Sequence, residues 1–476
     1  MKNVTYRIQR PSTKTVPRET TFRGRAAGLI VVCLLICSPA AGQRVVVKTE
    51  NGKVQLKGAK KYPNVENAVS AFGRGDFAES LRLLKEASRK HPELPPAHVV
   101  QAKLYLATKR RAEGLDALER AVAADRDDPE AFLMLGDLAL RARQITLAEL
   151  AINHAADLTE KYSKNARRLA DLKKRSLAGQ TTISEIRGLS DNTIRLATAW
   201  IKLDAKNAQP HRKLARAYFE KKKYTEAFGE LKKVAQLDTK AARPEISLAR
   251  MYEAAGHRDT AKETMQLAAK QGSKDLRTRL SVARWALAAG QVKMAQTNID
   301  AARKIDPDSF AALALAGRLA RHQGDQPAAL KLLQDAVVRS PSNFAATNQL
   351  ALALADSKDK KDRLRGLQYA AVNLRTHADA KTAAGREAAV TYAWLAFGMG
   401  KRAEAKKAIE VALRGGSISS ESAYYVAKVI SDSGNNVLAL KILKPVLAMK
   451  RPFPHREDAQ KLLDQLSVAP TKKSKK

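Results

Sequence analysis

The pattern of apolar and small residues repeats every thirty-four positions. Residues 242–343 can be written as three lines of that length, and the lines superimpose. Ala249, Ala283 and Gly317 form one column, and Gly256, Gly290 and Gly324 a second. Ala261, Ala295 and Ala329 form a third, Ala268, Ala302 and Ala336 a fourth, and Pro307 and Pro341 close two of the lines. Within one line, "ISLARMYEAAGH" is apolar at Leu248, Ala249 and Tyr252, and "TAKETMQLAAK" at Ala261, Met265 and Ala268. That three-and-four spacing predicts two amphipathic helices. Gly256 stands between them, where a residue free to take positive φ ends the first helix. One helical hairpin cannot cover both of its apolar faces, so a fixed period of this length predicts stacked hairpins.

The columns extend beyond these three lines. Ser80, Gly114 and Ala148 align, as do Leu84, Leu118 and Ile152, and Ala87, Ala121 and Ala155, giving three units over 61–162. Residues 163–207 read as a degenerate unit. "KNARRLADLKKR" and "NTIRLATAWIKLD" predict its two helices, with about eleven residues inserted between them. Its first part is basic, with seven Lys or Arg in 161–175 against Asp171 alone, and reads as a mobile or interacting loop. Regular units resume over 208–453 from Ala215, Tyr218 and Ala227. The unit near 344–380 inserts "DSKDKKDR" before Gly366, which predicts a lengthened turn. Two regular units follow, at Ala393, Gly400, Ala405 and Ala412, and at Ala427, Gly434, Ala439 and Val446. The count is eleven, one of them degenerate. In 454–467, Ala459, Leu462, Leu463 and Leu466 make one apolar stripe, the pattern of a capping helix, and 468–476 is a basic tail. Ahead of the array, 43–60 is a leader. "RVVVKTENGKVQL" places two β-rich runs around Asn51-Gly52, a type I′ hairpin signal, and a disordered leader is the alternative.

Paired antiparallel helices, thirty-four residues per unit, a small–glycine–small–aliphatic–small series and a closing proline resemble the tetratricopeptide repeat family. The resemblance implies an all-α, right-handed superhelical solenoid of stacked antiparallel helix pairs, here about eleven repeats plus a C-terminal capping helix. It further implies a non-catalytic protein-binding scaffold whose concave face is lined by the first helix of each pair.

The amino terminus changes the picture of location. Residues 1–25 hold seven basic residues against Glu19, an apolar run follows from Ala26 to Cys37, and "SPAAGQ" comes next. Basic region, short apolar region and small-residue site in that order predict a secretory signal over 1–42, with Gln43 first in the mature chain. The apolar run has about 12 residues, short of the ~20 that span a bilayer, so an uncleaved anchor is the minor alternative. The predicted location is the periplasm or cell envelope of a bacterium. Both cysteines, Cys33 and Cys37, fall inside this segment, so the mature chain has no thiol for disulfides, metal ligation or catalysis. Its removal takes the net charge from +38 to +32, and the basicity therefore belongs to the mature protein.

Motifs for chemistry are absent from the sequence. The eight histidines are scattered without metal-ligand spacing, and "GRGDFA" at 73–78 follows a helical segment, where the repeat turn accounts for its glycines. We therefore expect no catalytic residues, no cofactor and no metal. The informative feature lies one residue beyond the small packing column. Arg216, Arg250, Arg284 and Arg318 stand there, each thirty-four residues from the next, with Lys103 and Lys428 in outlying units. One residue turns a helix by about 100°, away from the packed contact. On the resemblance these side chains would form a ladder along the concave face. Arg212 lies one turn before Arg216, and Arg243, Arg277 and Arg279 lie near the starts of neighbouring helices. Guanidinium groups bind carboxylates and phosphates bidentately. The candidate partner-binding residues are accordingly Arg212, Arg216, Arg243, Arg250, Arg277, Arg284 and Arg318. The competing reading is a solvated face, with Glu220 and Glu253 neutralising rungs locally. The expected partner is a protein or peptide segment of acidic character. A polyanion binder, for acidic polysaccharide or nucleic acid, is the alternative that the basic excess supports. Sparse aromatics and the export signal argue against nucleic acid, and leave contact with anionic envelope polymers or the membrane surface open.

Overall fold

The computed structural model describes residues 46–50, 53–57, 62–449 and 452–468. Among these residues are 23 α-helices. Eleven are first members of pairs: α1 (Pro63–Gly73), α3 (Ala97–Ala107), α5 (Pro129–Arg141), α7 (Ala166–Ile186), α9 (Ala208–Glu220), α11 (Pro244–Ala254), α13 (Leu276–Ala288), α15 (Phe310–Gln323), α17 (Phe344–Ala355), α19 (Ala383–Gly398) and α21 (Ser420–Asp432). Their partners are α2 (Phe77–Lys90), α4 (Arg111–Ala124), α6 (Ile145–Lys161), α8 (Ser190–Leu203), α10 (Tyr224–Leu237), α12 (Arg258–Gln271), α14 (Val292–Ile305), α16 (Gln326–Arg339), α18 (Lys360–Thr376), α20 (Arg402–Leu413) and α22 (Asn436–Ala448). Helix α23 (Arg456–Val468) follows the last pair, so the chain is an all-α solenoid of helix pairs. It divides into two compact units, one ending at Ala217 and one beginning at Tyr218.

One column explains how the pairs stack. In the first unit it holds Ala68, Ala102, Gly136, Thr181 and Ala215; in the second, Ala249, Ala283, Gly317, Ala351, Ala393 and Ala427. All eleven are buried. Where the column is glycine, the partner helix's aliphatic residue takes the space. A Cβ on Gly136 would lie 2.4 Å from Ile152 Cγ1, and one on Gly317 2.5 Å from Leu333 Cγ. An interior this closely packed leaves no room for a larger side chain.

The turn between the two helices of a pair also keeps the period. A left-handed residue stands seven positions after the column at Gly75, Lys109, Arg143 and Gly188, and again at Lys222, Gly256, Gly290 and Gly324, then at Gly400 and Gly434. Three of these are not glycine: Lys109 (φ 64°), Arg143 (φ 58°) and Lys222 (φ 59°).

Both insertions fall elsewhere than the sequence reading puts them. The eleven extra residues near 163–207 do not separate two helices. They extend α6 at its end and α7 at its start, so α7 runs unbroken for 21 residues and α8 begins at its regular place. The basic run is thus largely helix, and two of its arginines, Arg168 and Arg175, find buried carboxylates. Near 344–380 the turn after α17 is not the lengthened part. Ala370 of α18 falls in its regular column, fully buried, and the extra residues lengthen α18, the connection after it and α19.

The leader contains two strands, β1 (Val46–Glu50) and β2 (Lys53–Lys57), paired antiparallel with Val46 opposite Lys57 and Glu50 opposite Lys53. Strand β2 runs beside α1 and β1 beside α3. At the other end, Ala459, Leu462 and Leu466 of α23 are buried against the last pair. The predicted signal segment 1–42 and the basic tail, apart from Val468, lie outside the described residues.

Candidate partner-binding face

The column one residue beyond the packing column carries the candidate site. With the small residue turned inward, the next side chain points out of the contact. Arg216 of α9, Arg250 of α11 and Arg284 of α13 are exposed there, and Arg318 of α15 is half-buried. The cationic run then stops. The next positions are Leu352 of α17, which is buried, and Trp394 of α19, stacked on Tyr425 of α21 at 4.4 Å between ring centroids.

The seven predicted arginines do not share one fate. Arg216 donates through Nη1 to Glu185 Oε1 of α7 at 2.7 Å, and Glu185 also takes Lys213. That rung is neutralised by a carboxylate of a different helix. Arg212 is half-buried and has an interaction of its own. Arg243 donates to Glu245 Oε2 and to Gln271 Oε1, both at 3.3 Å, and Arg277 donates to the Thr239 carbonyl at 3.0 Å. These two line one cavity of about 340 Å³ at the starts of α11 and α13. Glu245 and Asp275 line it too, so its two positive charges are matched there. Arg250, Arg284 and Arg318 make no hydrogen bond or ion pair among the described residues. Helices α13 and α15 contain no Asp or Glu at all. The ladder therefore reduces to three unpaired rungs in the second unit.

Two buried charge networks were not legible in advance. In the first unit, Arg168 of α7 donates to both oxygens of Asp128, at 2.6 and 2.8 Å, to Glu130 Oε2 at 3.0 Å and to the Tyr162 hydroxyl at 3.0 Å. Arg175 and Lys103 each reach Glu130 Oε1 at 2.9 Å. Lys103, an expected outlying rung, is thus consumed inside the fold. Burial alone would push the Glu130 carboxyl up, but Lys103, Arg175 and Arg168 outweigh it and hold the group far below the usual carboxylate range. Neighbouring Asp137 has no such close partner, and burial pushes its pKa up against the pull of Arg175, Arg141 and Lys103.

In the second unit, Arg321 of α15 has a fully buried side chain. It donates to Asp356 Oδ2 at 3.0 Å, Glu421 Oε1 at 2.7 Å and the Tyr425 hydroxyl at 3.2 Å, tying α15 to α21 three pairs later. His455, just before α23, lies 3.1 Å from Asp356 Oδ1 through Nε2 and 3.4 Å from Asp458 Oδ2 through Nδ1. The Asp356 bond raises the His455 pKa against burial, and although burial opposes it, Arg321 and His455 hold the Asp356 carboxyl low. No local motif announces such contacts, since their partners are up to 104 residues apart. The one available signal was the acidic residue at a first-helix start, Glu130 or Glu421.

Residues 71–143 and residues 280–344 each match a family model for the tetratricopeptide repeat. The chain carries tetratricopeptide repeats. These repeats make it a protein–protein interaction scaffold. Among solved structures it is similar to yeast Tom70, at 14% identity over 86% of this chain and 96% of that one, with a TM-score of 0.37. It is similar also to TTC0263, a tetratricopeptide-repeat protein of the thermophile Thermus thermophilus, at 17% identity over 41% of this chain and 100% of that one, TM-score 0.34. A third is pilF of Pseudomonas aeruginosa, at 17% identity over 46% and 96%, TM-score 0.32. No curated protein matches the chain in sequence. Among the described residues no helix is long and apolar enough to cross a membrane.

Proposed function

We propose that this tetratricopeptide-repeat chain is an exported, non-catalytic scaffold of the bacterial periplasm or cell envelope that holds an acidic segment of a protein partner along its first helices. One observation carries the chemistry: Arg250, Arg284 and Arg318 stand unpaired at the same turn of successive first helices, and α13 and α15 offer them no carboxylate. Charge left uncompensated on a folded surface attracts the opposite charge. Export rests on the order of basic, apolar and small residues in 1–42.

The test is capture of partner from the native envelope fraction by three forms of the chain. Arg250→Glu with Arg284→Glu removes two rungs, and Lys293→Glu with Lys331→Glu makes the same charge change on exposed positions of second helices α14 and α16. Loss confined to the first pair supports the reading. Equal loss from both pairs replaces it with diffuse polyanion binding, which a steep salt dependence would identify.

A further inference from the structure

In the first unit each of the first helices α1, α3, α5 and α7 joins its partner through a three-residue turn, at 74–76, 108–110, 142–144 and 187–189. Helices joined by such short turns run antiparallel and stack, so all four turns lie on one edge. Those turns carry Arg74, Lys109, Arg110, Arg143 and Arg187 against Asp76 alone. The connections on the opposite edge, 91–96, 125–128, 162–165 and 204–207, carry five carboxylates against three Lys or Arg. The stack is thus basic on its turn edge only.

Most of that charge is left over after folding. Arg74, Lys109, Arg111, Arg141 and Arg143 are exposed and make no side-chain hydrogen bond or ion pair among the described residues. The carboxylates close by are already held, Glu113 by Arg110 and Glu149 by Arg187. Lys109 and Arg143 keep a cation at the left-handed turn position, where the backbone favours glycine.

Apolar side chains stand out beside these cations. Among the described residues of the first unit, five large apolar side chains are exposed, and Leu147, Leu150, Ile186 and Leu189 are at least 50% so. These four belong to one place. The end of α5 (Ala139, Leu140), the start of α6 (Ile145, Ala148) and Ile183 of α7 share a buried cluster, and Arg187 reaches Thr146 and Glu149. The fifth, Leu203, ends α8 on the opposite edge. Single exposed apolar residues are ordinary, whereas a group of them rimmed by polar residues marks an interaction surface.

We infer that the turn edge of the first unit docks on an anionic lipid surface. Its aliphatic side chains enter the acyl boundary, and its cations lie among the headgroup phosphates. A bilayer offers those two chemistries at adjacent depths, and apolar tips set among Lys and Arg take up both. A protein partner fits less well. Protein interfaces are anchored by Trp, Tyr and Arg in closed pockets and use little Leu, while these tips are aliphatic and stand at turns. The edge belongs to the first unit alone, and it stands whether or not Arg250, Arg284 and Arg318 hold an acidic segment.

Flotation of the natively produced chain with lipid vesicles tests this. Binding is expected on phosphatidylcholine mixed with phosphatidylglycerol and is lost on phosphatidylcholine alone. Arg111→Glu with Arg143→Glu should weaken binding about twentyfold or more, since one cation at an anionic surface is worth about fivefold. Leu150→Ser with Ile186→Ser should weaken it about tenfold. Arg126→Glu with Lys206→Glu makes the same charge change on the opposite edge and should leave binding within about twofold. All these residues are exposed, so the fold should survive each change. Brominated acyl chains are expected to quench the tryptophan of Leu150→Trp and not that of Leu203→Trp. Quenching of both or of neither overturns the inference, as does equal binding to the two kinds of vesicle. Equal loss from the two charge pairs overturns it as well and assigns attachment to overall basicity. No binding to vesicles, with an acidic protein held through Arg111 and Arg143 instead, replaces the lipid surface by a protein partner.

Discussion

Two basic regions of the chain meet opposite ends. Around α5 to α7, Arg168 and Arg175 of a dense run of Lys and Arg turn inward, and with Lys103 of α3 they are taken up by Asp128 and Glu130. Along α11 to α15 cations stand at regular intervals, and among the described residues Arg250, Arg284 and Arg318 make no hydrogen bond or ion pair. Local basic density does not distinguish the two. What decides is whether a carboxylate from another repeat arrives at the same place, as Glu130 does from the start of α5 and as no residue does from α13 or α15. A run of like charge is a site only after the fold has finished pairing it.

The largest expected effect breaks the first region. Glu130→Ala would leave three cations facing a buried gap, and removing one partner of a buried ion pair costs about 3–5 kcal/mol. Denaturant unfolding of the variant should show that loss in the first unit, while partner capture through the second unit survives. A cost under about 1 kcal/mol, the range of surface pairs, would mean that Glu130 is not a keystone. Next in size is the binding effect of Arg250→Glu with Arg284→Glu. Its stability cost should stay within about 0.5 kcal/mol, as for exposed positions outside any network. If that double variant unfolds the second unit, the two regions differ less than the contacts imply.

The contrast also marks how far the sequence could be read. The eleven pairs, the capping helix and the packing column were legible because one physical requirement, close approach of two helices, recurs every thirty-four residues except across the two insertions. The positions of the insertions were not. A helix absorbs extra residues at its ends without leaving a local mark, and α7 does so with Arg168 and Arg175 turned toward α5. Three of the four ladder arginines kept their free charge. Arg216 did not, because Glu185 lies outside the period that predicted the ladder.

A smaller effect separates the ends of the second unit by pH. His455 has a raised pKa, so its contact with Asp356 stabilises fully below the ordinary histidine value of 6.5 and is lost as pH rises through the raised value. Asp356 has a lowered pKa, so its share is present above its ordinary 3.8 and is lost as pH falls through the lowered one. The clamp on α23 is thus firmest in weakly acidic solution. Hydrogen exchange of the α23 amides, corrected for intrinsic rate, should be slower at pH 6 than at pH 8 by an amount equivalent to about 1 kcal/mol or less. His455→Gln should remove that difference and leave exchange along α11 to α15 untouched.

The smallest expected effect returns to the turns, where equivalent positions carry different residues. Lys109 and Arg143 hold the left-handed turn position in the first unit beside Gly75 and Gly188, and Gly256, Gly290 and Gly324 hold it in the second beside Lys222. A side chain in that conformation costs roughly 1–2 kcal/mol, whereas glycine adopts it freely but loses more chain entropy on folding, worth about 0.4–1 kcal/mol. The two terms oppose each other, and the strain is the larger. Lys109→Gly should therefore stabilise the first unit by about 0.5 kcal/mol, and Gly324→Ala should destabilise the second by about as much or more. A Cβ at Gly324 meets nothing within 4 Å, so the second change tests backbone strain without a clash. Lys109 makes no hydrogen bond or ion pair through its side chain among the described residues, so the first is equally clean. Measured by denaturant unfolding, opposite signs would show that these turns differ only in how well the residue suits one shared geometry. Destabilisation by Lys109→Gly would mean instead that the lysine at that turn has a role beyond the turn itself.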